Sequence, residues 1–224
     1  MLVYYAGVVL NRVVPEAVFR FRYVHVLQLR FFDDSDRFSA ETGLDQEEIQ
    51  VRVLQEHELR ELASVTGNRL SSDLIRKHKA VGVWKGDELL GGFWAAREEF
   101  TEMELGIQYH LAPNQVWGYS AFIDKSIRGR GWYQKTLSTW CKELARVGHP
   151  IQLVAVNPWN KISLNVHRQN AKRCLARIFA MRLFNCTICW TLGESTQSKY
   201  ISLDARSRPI AIWFHDLEVE PIQL

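Results

Sequence analysis

Residues 116–158 place the tightest limit on the fold. "VWGYSAFID" is a run of strand length, "KSIRGRG" breaks it with two glycines, "WYQKTLSTWCKELARVG" has helical spacing, and "PIQLVAVNP" is a buried strand. In the helical stretch Trp132, Leu137, Trp140, Cys141 and Leu144 share one apolar face, and Gly148 closes it. A strand–helix–strand unit implies a parallel pair joined by a right-handed crossover. Upstream, "AVGVWKGDELLGGFWAA" is two alternating runs joined at residues 85–88, which is an antiparallel hairpin. The expected fold is therefore α/β (α+β). It is a mixed, mostly antiparallel twisted sheet flanked by helices, with one central parallel strand pair.

The remaining elements fill in around this unit. "AVFRFRYVHVLQLRFF" alternates as one strand or two, "DDSDRFSAETGLDQEE" reads as a linker, and "EIQVRVLQ" is a strand. "EHELRELASVTG" reads as a helix stopped by Gly67, and "SSDLIRKHKA" as a short helix capped by Ser71 or Ser72. "REEFTEMELGIQYHLAPNQ" reads as an irregular or partly helical connection. "NKISLNVHRQNA" reads as a helix, "CLARIFAMRLFNCTICWTLG" as one strand or two joined at Asn185, and "IAIWFHDLEV" as a strand. The chain divides into residues 1–44, an N-terminal accessory strand segment suited to docking or dimerisation, and residues 45–224, the main domain.

Composition excludes several classes. At 47% apolar and 24% charged residues the chain reads as a globular protein. A formal net charge of +3 permits an anionic ligand but does not call for nucleic acid, and no basic stripe is interleaved with aromatics. No apolar run reaches the roughly 18 residues of a membrane span. "MLVYYAGVVLNRVV" lacks the early basic cluster and cleavage site of a secretory signal. The expected location is the cytoplasm, with reduced thiols. The Cys186-x-x-Cys189 spacing stands alone, and a single pair cannot fill a tetrahedral metal site. It reads as two small strand residues facing opposite sides, and no metal is expected.

The glycine turn carries the chemistry. Backbone N–H groups at a helix start have no acceptor within the helix and sit at the positive end of its dipole. Glycines let an anion approach that backbone closely. Lys125, Arg128, Arg130 and Lys135 add positive charge. The Walker spacing is absent, and the dinucleotide fingerprint lacks its third glycine, with Gln134 nearby instead.

"RGRGWY" does match Arg/Gln-x-x-Gly-x-Gly/Ala at Arg128 and Gly131. This resembles the pyrophosphate loop of the GNAT superfamily of acyl-CoA-dependent N-acyltransferases. The order of elements over residues 48–190 is similar to that family, and Asn160, Ser163 and His167 stand where it shows Asn-x-x-Ser/Ala and then Tyr. Three positions depart from the pattern. Tyr133 replaces Gly or Ala, Ala171-Lys172 replaces Gly-Phe, and His167 replaces Tyr.

The resemblance implies direct transfer of an acetyl or other acyl group from a coenzyme A thioester to a primary amine of a small molecule or amino sugar. Acetyl-CoA or another acyl-CoA would be the co-substrate. Backbone N–H groups near Phe122 and Ile123 would polarise the thioester carbonyl. Ile127, Arg128, Gly129, Arg130, Gly131 and Trp132 would surround the pyrophosphate. Asn160 and Ser163 fall to cofactor binding, although Asn160 is equally an N-cap for the helix at Lys161. His167 would give or take a proton, with Tyr133 as a second acid. Glu98, Glu99, Glu102 and Glu104 are candidate bases, and also candidates for plain surface carboxylates. Trp94, Tyr109, Trp117 and Tyr119 read as pocket lining or as core. The implied partner is a small-molecule amine, with a homodimer left open. The alternative reading is a non-catalytic CoA-binding or partner-binding module on the same scaffold.

Overall fold

The computed structural model describes residues 2–15, 18–29, 49–68 and 71–215. The linker read at residues 33–48 lies outside them. The chain divides into two compact units. One comprises Met1–Leu29, Glu98–Pro113 and Leu153–Leu224, and the other Arg30–Arg97 and Asn114–Gln152.

The second unit is an antiparallel sheet covered by helices. Its strands are β2 (Ile49–Val53), β3 (His78–Lys85), β4 (Glu88–Arg97) and β7 (Gln115–Ile123), adjacent in the order β7-β4-β3-β2. The β3–β4 hairpin turns where the alternation predicts, with Lys85 opposite Glu88 and Gly86 at φ 57°. Helix α2 (Leu59–Thr66) buries Leu59, Leu62 and Ala63, and Gly67 ends it in the left-handed conformation. They join Leu54, Ala80, Trp84, Leu89 and Trp94 in one core cluster. Helix α3 (Ser72–Lys77) follows. Helix α4 (Trp132–Arg146) buries the five predicted apolar residues together with Thr136 and Ser138.

The first unit has two sheets. In the larger, β12 (Ile201–Ser202), β10 (Cys186–Gly193), β9 (Ala171–Leu183), β1 (Phe19–Leu29) and β8 (Ile151–Val156) lie in that order, every pairing antiparallel. The smaller runs β11 (Ser195–Gln197), β13 (Ile210–Phe214), β6 (Ile107–His110) and β5 (Glu99–Glu102). Here β13 and β6 are parallel, Ile210 opposite Ile107. Mostly antiparallel strands, a parallel pair and flanking helices match the expected fold class. The β6–β13 pair, however, joins residues about a hundred positions apart and leaves no local pattern.

Three further differences have plain causes. Residues 99–110, expected to be an irregular connection, form the β5–β6 hairpin. Its alternation is masked because Glu102 is an inward residue, paired with Arg22 at 2.8 Å. Residues 2–13 form helix α1, which packs Gly7 against the Phe21 ring. Asn11 both donates to Phe21 O at 2.7 Å and accepts from Phe21 N at 2.8 Å. Strand β1, grouped on sequence grounds with an accessory segment, has β8 on one edge and β9 on the other.

Candidate functional site

The glycine turn is built between two buried anchors. Ile127 and Trp132 sit in one core cluster with Val83 and Leu90, while Arg128, Gly129 and Arg130 between them are exposed. Strand β7 ends at Ile123, a short 3-10 turn spans Lys125–Ile127, and α4 starts at Trp132. The turn's start is clamped by Asp124. Its N–H donates to Leu90 O at 2.6 Å, and its carboxylate accepts from Ser126 N at 2.8 Å and Ser126 Oγ at 2.6 Å. The Ser126 hydroxyl, then the Ser126 N–H, hold the Asp124 carboxyl below the usual carboxylate range. The reading from sequence missed Asp124, although Asp-x-Ser is a recognisable local turn signal.

Gly129 and Gly131 both adopt positive φ, 75° and 77°. A Cβ on Gly129 would meet nothing within 4 Å. Gly131 caps α4 with no side-chain hydrogen bond, so the helix start presents backbone donors rather than a capping oxygen. The two arginines differ. Arg128 Nε donates to Ile123 O at 2.7 Å, which fixes its guanidinium against the end of β7. Arg130 has no hydrogen-bond or ion-pair partner among the described residues. Lys135 lies over the Trp132 ring at 4.8 Å.

Phe122 and Ile123 pair with Gly92 and Gly91 of β4. Just before them the strand leaves the regular pleat at Ser120, whose φ is 48°. Tyr133 is the second residue of α4. Its ring lies 6.5 Å from that of Phe93 on β4, and burial followed by the Cys141 thiol raises its phenol above the ordinary value.

The second motif lies in the first unit, on α5 (Lys161–Gln169). Asn160 Oδ1 accepts from Ser163 N at 3.1 Å, so this side chain caps the helix. His167 is buried. Its Nδ1 lies 2.7 Å from Ser163 O and 3.3 Å from Ser163 Oγ. A carbonyl only accepts, so Nδ1 carries the proton, and Nε2 of the neutral ring is the acceptor. Burial lowers the His167 pKa, opposed in part by the bond to Ser163, so the ring is neutral at pH 7.

Three of the four candidate glutamates have side-chain partners. Glu102 is paired with Arg22 and accepts from Tyr109 Oη at 3.2 Å, Glu104 lies 3.3 Å from Arg22, and Glu99 accepts from Gln108 Nε2 at 2.8 Å. Burial raises the Glu102 carboxyl above the usual range. Trp94, Tyr109 and Trp117 are core residues, at 0%, 1% and 2% exposure. Cys186 and Cys189 point to opposite faces of β10. Among the described residues no cluster of His, Cys, Asp or Glu is placed to hold a metal, and no helix is long and apolar enough to cross a membrane.

Comparison with known proteins gives matches to solved structures. A Drosophila protein of known structure is 15% identical, with a TM-score of 0.48 over 80% of this chain and 57% of its own. An aminoglycoside acetyltransferase from an uncultured soil metagenomic sample is 18% identical, with a TM-score of 0.42 over 56% of this chain and 91% of its own. A Novosphingobium aromaticivorans protein assigned to the GNAT family of acetyltransferases is 15% identical, with a TM-score of 0.44 over 74% of this chain and 62% of its own. No family model and no curated protein matches the chain. It spans under two thirds of the Drosophila and Novosphingobium chains.

Proposed function

We propose that the chain is an N-acyltransferase that takes an acetyl or other acyl group from a coenzyme A thioester and gives it to a primary amine of a small molecule or amino sugar. The observation that carries this reading is the turn between Ile127 and Trp132. Two left-handed glycines, a helix start without a capping side chain and two exposed arginines form a surface suited to a pyrophosphate. The residues proposed to hold coenzyme A are Arg128, Gly129, Arg130, Gly131 and the first residues of α4. The thioester, when bound, supplies an activated acyl group, and the backbone near Phe122 and Ile123 is proposed to polarise its carbonyl. Packing of Tyr133 toward Phe93 supports an open loop, because the bulky ring is drawn into the helix–sheet interior.

The test is calorimetric titration of acetyl-CoA into the wild-type protein and an Arg128→Ala, Arg130→Ala double variant. Both side chains are exposed, so the variant is expected to fold normally. Loss of charge-assisted hydrogen bonds is expected to weaken binding about 10- to 100-fold. Wild-type protein that binds neither acetyl-CoA nor a longer acyl-CoA would overturn this reading and leave the partner-binding alternative.

His167 is proposed to accept a proton rather than donate one, since its Nδ1–H is spent on the Ser163 carbonyl. An amine enters as an ammonium, and a neutral imidazole is the form that deprotonates it. The sign of its stability contribution follows. The folded state favours the neutral ring, so the contribution is complete above the ordinary value of 6.5 and is lost as pH falls through the lowered folded pKa. Urea midpoints of wild type and His167→Gln between pH 8 and pH 5 are expected to converge as pH falls. A pH-independent gap would remove the linkage.

A further inference from the structure

One face of the large sheet in the first unit breaks the usual rule for antiparallel sheets, apolar inward and polar outward. Strands β9, β10 and β12 bury their inner face against the smaller sheet through Ile178, Ala180, Arg182, Thr187, Cys189 and Ser202. Thr187 Oγ1 donates to Leu105 O at 2.6 Å there, and Arg182 Nη1 to Met103 O at 3.4 Å. The outer face should then be polar, and it is not. Directly paired residues point to the same side, so Phe179 and Trp190, Met181 and Ile188, Leu183 and Cys186, and Ile188 and Ile201 form one outward surface. Trp190 is 45% exposed, Leu183 50%, Ile201 52% and Leu192 69%. Arg177, opposite Leu192, is the one charged residue among the paired positions of this face. The strip over β1 differs, because α1 covers it by seating Gly7 on Phe21.

We propose that this face is the contact between two copies of the chain, stacked sheet on sheet about a two-fold axis. Part of the strand edge near this face is already occupied. The Gln197 carboxamide accepts from Thr191 N at 2.8 Å and donates to Cys189 O at 3.1 Å, so the outer edge of β10 is already bonded there. Trp190, Leu183, Ile201 and Leu192 each keep between 45% and 69% of their surface exposed on adjacent strands, a contiguous apolar strip of the kind that marks an interaction surface. A surface with one charge and a row of large apolar side chains complements itself. It lacks the charge pattern that would steer a different protein onto it. Trp190, its ring tilted against that of Phe179 with centroids 5.7 Å apart, lies on the central strand of the three as the anchor.

The contact lies within the first unit and does not depend on acyl transfer. The test is sedimentation equilibrium of the full chain from about 1 to 100 μM, for wild type and for a Trp190→Glu, Leu192→Glu double variant. Wild type is expected at twice its 26.1 kDa chain mass. The double variant is expected to dissociate with a Kd at least about 100-fold weaker, through two charges buried in an apolar contact. Leu203→Glu, at a position 80% exposed beyond the end of β12, is a second variant with little cost to the fold. Circular dichroism checks that each variant stays folded. A wild-type monomer at 100 μM, or folded variants that remain dimeric, would overturn the proposal.

Discussion

Trp94→Ala is expected to lower stability by about 4 kcal/mol, read as a fall in the urea midpoint followed by circular dichroism. Trp94 is fully buried on β4, and the side chain fills the space between α2 and the sheet beside Leu62, Ala80 and Trp84. Its loss would leave a cavity lined by side chains of a helix and two strands, which cannot all move inward. Its indole N–H also donates to Thr66 Oγ1 at 3.1 Å. That hydroxyl in turn donates to Leu62 O at 2.7 Å and accepts from Asn68 Nδ2 at 2.9 Å. This fixes the C-terminal end of α2 where Gly67 ends the helix. Trp94→Phe separates the two contributions. It keeps most of the apolar volume and gives up the hydrogen bond, so its cost is expected at about 1–2 kcal/mol. Equal costs for the two variants would mean that the hydrogen bond, not the packing, dominates this core.

The elements legible in the sequence are those whose neighbours are close along the chain. The 85–88 turn follows from alternation and Gly86, and α4 from its apolar face and Gly148. Helix α1 was not legible because its sequence is apolar nearly all round, so neither the helical nor the strand period stands out. The β5–β6 hairpin was hidden by Glu102, an acid that reads as outward until its partner Arg22, eighty positions away, is known. The candidate site divides in the same way. Its loop was legible because glycines with left-handed backbone and a helix start are local properties. Local sequence does not say that Arg128 is tied to Ile123 while Arg130 is not, or that His167 gives its Nδ1 proton to a carbonyl one helical turn back. Those depend on rotamers set by packing.

Two glycine substitutions separate backbone strain from steric contact, and they differ in effect by a wide margin. Gly193 ends β10 opposite Ala176 with φ 123°, in a region that is nearly reserved for glycine. A Cβ there would press on the Leu175 carbonyl oxygen, well inside van der Waals contact, and lie 3.0 Å from Ala176 Cα. That carbonyl cannot retreat without losing the 2.7 Å bond it accepts from Glu194 N. Gly193→Ala is therefore expected to cost more than about 3 kcal/mol and to lower the thermal midpoint sharply. Gly129→Ala has a comparable left-handed backbone, φ 75°, but its Cβ would meet nothing within 4 Å. Its expected cost is only the conformational term, about 1–2 kcal/mol. The Gly129 variant should therefore stay folded, and it can be titrated with acetyl-CoA. A methyl group standing over the backbone donors of the turn would weaken binding if an anion rests there, and would leave it unchanged if the turn is only a connection. Stability and affinity measured on this one variant thus separate a glycine kept for chain geometry from a glycine kept for a ligand.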